Sequence, residues 1–135
     1  MLRRSPEPAL REQVAMALVN KGITLGQLNR SKEAIQVYEE VVRRFGEATE
    51  PALREPVAKA LVNKGVALKD LGRFDKAIAA LTEVIQRFAD SPEPSLQEVA
   101  SRARKNLEDL VQGSQPAAGN EPPTTNSEEP KTNGQ

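Results

Sequence analysis

The chain has 135 residues, with 19 Lys and Arg against 19 Asp and Glu, and contains neither cysteine nor histidine. Disulfides, thiolate nucleophiles and sulfur metal sites are therefore excluded, and the commonest general base and metal ligand are missing. A formal charge of zero also lacks the concentrated positive field that nucleic acid or an anionic bilayer demands. Opposite signs are interleaved along the chain, as a solvated helical surface requires. No stretch approaches the roughly 18 apolar residues of a membrane span. Met1 to Ser5 leads into prolines rather than a signal-peptide hydrophobic region, so the chain is expected to be soluble and cytoplasmic.

The segment PALREQVAMALVNKGITLGQL, starting at Pro8, returns as PALREPVAKALVNKGVALKDL at Pro51, and a decayed copy, PSLQEVASRARKN, starts at Pro94. Residues 8–50 and 51–93 share 23 identities over a period of 43. Such self-similarity is the signature of stacked repeats, in which each unit buries its apolar face against its neighbours. The expected organisation is a helical repeat domain over residues 5–112, made of repeats 8–50 and 51–93 and a capping helix 94–112. Beyond Val111 the chain has no Val, Ile, Leu, Met or aromatic residue. Residues 113–135 are expected to be a disordered tail, since they cannot bury enough apolar surface to offset their ordering entropy.

In the first helix of unit one, Leu10, Val14, Leu18, Leu25 and Leu28 recur at spacings of three, four or seven, with Ala15, Val19 and Ile23 beside them. Those intervals are helical, and the wide apolar surface predicts a helix sandwiched between neighbours. Leu53, Val57, Leu61, Leu68 and Leu71 repeat the pattern. Asn29 and Gly72 hold the same place just past each helix, and both types accept the left-handed backbone of a tight C-terminal turn.

The second helix of each unit carries Ala34, Tyr38, Val41 and Phe45, or Ala77, Leu81, Val84 and Phe88, on one face. Outside, Glu39–Arg43, Glu40–Arg44 and Glu83–Arg87 are spaced for helix-supporting ion pairs. The joints Ser5-Pro6-Glu7-Pro8, Thr49-Glu50-Pro51 and Ser91-Pro92-Glu93-Pro94 predict helix starts with Ser or Thr at N-cap and Pro in the first turn. Pro56 removes an internal hydrogen bond, predicting a kink or a helix that effectively begins near Glu55. In the third copy, Leu96, Val99, Ala100, Ala103, Leu107 and Leu110 form an inward face beneath a charged exterior, as a terminal cap requires. Leu10, Val14 and Ala17 of the first helix have no preceding unit in this sequence to cover them.

The stretches 15–46 and 58–89 resemble a tetratricopeptide repeat. Gly22 and Gly65 match the small residue where the two helices of a unit approach, and Leu25 and Leu68 match the large residue one turn on. Ala34 and Ala77 match the small residue of the second helix, followed by the large Tyr38 and Leu81. Leu18 and Leu61 stand where an aromatic is usual, Lys21 and Lys64 where Leu is usual, and Gly46 and Ala89 where Pro is usual. The period of 43, against roughly 34 in the short form, is similar to the longer repeats of kinesin light chains.

The resemblance implies an all-α, right-handed α-solenoid of two helix-turn-helix repeats plus the cap, binding a peptide or protein segment on its concave face. Carried over by position, that face holds Met16, Val19, Asn20, Ile23 and Gln27, then Lys59, Val62, Asn63, Val66, Lys69 and Asp70, and continues to Arg102, Lys105 and Asp109. An apolar strip of Val19, Ile23, Val62 and Val66 flanked by basic groups suits a segment with some acidic character; alternatively those four aliphatics pack between helices. A clamp for a terminal carboxylate is not expected, because Val19, Ile23 and Val62 occupy its polar positions.

No catalytic, cofactor-binding or metal-binding residue is expected. Glu33, Glu39, Glu40 and Asp75 fall on helix surfaces beside Lys or Arg, and no phosphate-binding glycine motif occurs. The expected partner is a protein or peptide, with no nucleic acid and no membrane. Two alternatives remain. One is self-association, as a homo-oligomer, or membership of a longer array through Leu10, Val14 and Ala17. The other is an RNA-binding helical repeat, against which the neutral charge speaks.

Overall fold

The alternation of apolar stripes and turn residues yields five helices in the computed structural model, which describes residues 7–114. They are α1 (Glu7–Gln27), α2 (Ser31–Phe45), α3 (Pro51–Asp70), α4 (Phe74–Phe88) and α5 (Pro94–Ser114), with no strand among the described residues. α1 with α2 and α3 with α4 form successive hairpins, and α5 packs on α4 and α3. The chain is an α-solenoid.

Each hairpin turns by the same local chemistry. Asn29 has φ 63° and Gly72 has φ 74°, both left-handed. The amide of the following arginine donates back across the helix end, Arg30 to the Leu25 carbonyl at 2.8 Å and Arg73 to the Leu68 carbonyl at 2.9 Å. Those bonds satisfy carbonyls that a helix terminus otherwise leaves orphaned. The paired helices then approach at glycine. A methyl group at Gly22 would come within 2.8 Å of Tyr38 Cζ, and one at Gly65 within 2.9 Å of Leu81 Cγ.

A second repeated device closes each unit. Arg11 lies over the Phe45 ring at 5.9 Å and reaches Glu50 at 3.3 Å. Its copy Arg54 lies over Phe88 at 5.5 Å and reaches Glu93 at 3.6 Å. Arg44 and Arg87 stack on the same two rings at 5.3 and 5.1 Å. The start of one helix is thus tied to the end of the next and to the joint beyond it. Between units, Arg87 donates to the Gly46 carbonyl at the end of α2, 2.7 Å away.

The core runs continuously through the stack, from Ala15 and Val19 through Val41, Leu61, Val62 and Leu81 to Leu96 and Leu110. Its layout fixes an inner and an outer row. α1 packs on α3 and α3 on α5, whereas α2 and α4 stand apart, bridged at their ends by the Arg87–Gly46 hydrogen bond. The wall of α1, α3 and α5 is therefore the tighter, concave side.

Several local expectations are corrected. The residue before α3 is Glu50, with no side-chain cap, so Thr49 is not the N-cap. Ser91 lies two residues before Glu93 and ties the joint instead, accepting a hydrogen bond from the Glu93 amide at 3.2 Å. α3 begins at Pro51 and runs without a break through the buried Pro56, rather than beginning near Glu55. A proline six residues into a helix forfeits one bond, and burial of its ring offsets part of the loss. Glu39 pairs across the stack with Lys64 at 3.3 Å rather than with Arg43. α5 continues to Ser114, two residues beyond the expected end of the cap. The rest of the expected disordered tail lies outside the described residues.

Candidate functional site

The concave wall carries a depression of about 200 Å³, where α1 and α3 diverge over α2. Ile23, Gly26 and Gln27 form one side, and Asn63, Val66, Ala67 and Asp70 the other. Ser31, Ala34 and Tyr38 of α2 form its floor. Ile23 is exposed and Val66 half-buried, so both side chains face the opening. Two primary amides, Gln27 and Asn63, stand beside them, and each offers donors and an acceptor for a peptide backbone.

The other expected groove residues divide by environment. Val19 and Val62 are 1% and 0% exposed. They belong to the interhelical core and present no surface to a ligand. Their position beside Ala15 and Ala58 on the helical wheel turns them inward, where neighbouring helices cover them. Asn20, Lys69 and Arg102 are exposed, and among the described residues no ion pair engages Lys69 or Arg102. Lys59 is held by Glu55 at 3.1 Å, and Lys105 stands 4.0 Å from Asp109. Met16 is half-buried. The basic rim is therefore partly neutralised by carboxylates one turn away.

The floor of the depression was not anticipated. Its signal was present in the sequence, since Gly22 requires a large side chain opposite it and Tyr38 is that side chain. Burial pushes the Tyr38 hydroxyl up to about 12. On the outer side, the gap between α2 and α4 forms a larger cleft of about 380 Å³, lined by Glu39, Lys64, Arg73, Lys76 and Glu83. Lys64 thus faces the convex side with Glu39, while its neighbour Asn63 faces the concave one. At the remaining end of the molecule, Leu10, Val14 and Ala17 are exposed on α1.

Among the described residues no group of three or more acidic side chains is placed to hold a metal ion. No described helix is long and apolar enough to cross a membrane.

Hairpins stacked into an inner and an outer row, with side chains displayed on the inner wall, define a helical-repeat scaffold. The tetratricopeptide repeat model matches residues 15–45 and 58–90, and the chain belongs to the tetratricopeptide repeat family. Members of that family are in general protein–protein interaction modules and are typically non-enzymatic. No curated protein and no solved structure matches the chain.

Proposed function

We propose that this protein is a non-enzymatic adaptor that holds an extended or helical segment of a protein partner against the α1–α3–α5 wall. The observation that carries this reading is the depression in which Ile23, Gln27, Asn63 and Val66 converge. Two aliphatic side chains supply apolar contact, and two amides can pair with a segment's backbone. Among the described residues no ion pair engages Lys69 of α3 or Arg102 of α5, favouring a segment that carries acidic residues beside an apolar anchor. Because the wall is built from packed helices, capture orders little of the receptor, and little affinity is lost to that ordering.

The test is selection of peptides from a displayed random library on the immobilised chain, followed by calorimetry with the enriched sequences. Acidic peptides with aliphatic or aromatic anchors are expected, and Ile23→Glu with Val66→Glu should remove their binding while helical content is kept. Enriched peptides indifferent to that double substitution would place the binding surface elsewhere.

A further inference from the structure

A stripe with the same spacing occurs three times in this chain, and among the described residues its first copy lies open. In α3 and its C-cap it comprises Leu53, Val57, Ala60, Lys64, Ala67 and Leu71, at successive spacings of four, three, four, three and four. Leu53 and Val57 are each 1% exposed and Ala60 is fully buried. In α5 the equivalents Leu96, Ala100, Ala103 and Leu110 are buried, with Leu107 half-buried. In α1 and the turn just past it the stripe reads Leu10, Val14, Ala17, Lys21, Thr24 and Leu28. There Leu10, Val14 and Leu28 are 52%, 38% and 59% exposed. Four of the six residue types are shared with α3 at the apolar positions, and Lys21 matches Lys64.

The closed copy shows what this surface fits. Lys64 bonds Glu39 of α2, so the α3 stripe faces the second helix of the preceding hairpin. In α5 the place of Lys64 is taken by Leu107, and the place of Glu39 in α4 by the uncharged Thr82. The charge at this point follows the charge of the helix opposite. Lys21 keeps the lysine, already within electrostatic reach of the Glu33 carboxylate of its own hairpin, and a further carboxylate opposite it would add to that pairing.

A second copy of the chain has no such face to give. The apolar sides of α2 and α4 are already buried in its own stack, through Val41, Phe45, Val84 and Phe88. Pairing α1 with α1 across a two-fold axis would set against it the same stripe, which carries Lys21 and no carboxylate of its own.

We infer that the open α1 stripe is a docking surface for an amphipathic helix of the α2 kind from another polypeptide segment, with an apolar face on Leu10, Val14 and Leu28 and a carboxylate on Lys21. This surface is separate from the concave depression and stands whether or not that depression binds a peptide. It makes the molecule a stack that another protein's helix can extend.

The probe is a fluorescent peptide of residues 31–45 of this chain, stapled between the exposed positions 32 and 36, because an unsupported helix of this length is marginal in water. Titration of the whole protein should raise its anisotropy to saturation at one peptide per chain. Leu10→Glu with Val14→Glu should weaken binding by about a hundredfold, since two carboxylates would be buried without partners. Circular dichroism of that variant should match the parent, because both side chains are exposed. Lys21→Glu should weaken binding by about threefold, and a peptide carrying Glu39→Lys should restore it, in keeping with a half-exposed ion pair. Absence of saturable binding, or binding unchanged by Leu10→Glu with Val14→Glu, overturns the inference. So does a dimer in sedimentation that this double substitution dissociates, which would assign the stripe to a second copy.

Discussion

Lys64 Nζ lies 3.3 Å from Glu39 Oε2, joining the first helix of one hairpin to the second helix of the hairpin before it. Both side chains keep part of their surface in water, at 26% and 50% exposure, so the pair carries more specificity than energy. It sets the register of α3 against α2 at a point where the neighbouring positions are aliphatic and indifferent to sliding. Lys64→Glu should destabilise the fold by about 0.5–1 kcal/mol, and Glu39→Lys in the same chain should recover most of that loss. Urea unfolding of the two single variants and the double variant measures the coupling, which should shrink with added salt.

Gly72 sits at φ 74°, where a side chain bearing a Cβ is strained. Gly72→Ala should cost about 1 kcal/mol, seen as a lower midpoint of thermal unfolding. At the equivalent turn Asn29→Gly should be neutral or slightly stabilising, because asparagine already tolerates φ 63° at some expense. A loss at Gly72 without a loss at the equivalent Asn29 is the check.

Val62 and Val66 lie one turn apart on α3 and should behave differently. Val62 is fully buried, so Val62→Glu places an unpaired carboxylate in the core at a cost of about 3–5 kcal/mol, enough to unfold a domain of this size. Val66 borders the depression, and Val66→Glu can turn its carboxylate into solvent with a loss of about 1 kcal/mol or less. Chemical denaturation followed by circular dichroism separates the two outcomes.

Tyr38 is the chain's single tyrosine, and burial raises its hydroxyl from the ordinary 10 to about 12. Its neutral form is favoured in the folded state, so the contribution is complete below pH 10. The unfolded chain begins to release the proton above that point, and stability falls as pH rises from 10 through 12. Absorbance at the tyrosinate band should show a late transition in the native protein and an ordinary one in denaturant.

How far the site could be read from sequence follows from what each signal measures. The spacing of Leu53, Val57, Ala60 and Ala67 marks a helix face that will be covered, and it is covered. The same spacing in Leu10, Val14 and Ala17 marks an equal face, yet here nothing among the described residues covers it. The resemblance puts Ile23, Gln27, Asn63 and Val66 on the inner wall, and in the structure these four line one depression. Val19 and Val62 were placed beside them and are core, because the wheel position of a valine does not state how close the next helix comes.

The amino-acid sequence by itself determined the elements, the turns and the period: apolar spacing, left-handed turn residues and internal identity act within a few residues of chain and need no partner. Tertiary structure alone decided that Glu39 turns from Arg43 to Lys64, that Val19 and Val62 close inward while Ile23 and Val66 face out, and that three stripes of one spacing have unequal fates. Those outcomes depend on the distance between helices far apart in sequence, and that distance is set by packing of the whole stack rather than by any local pattern.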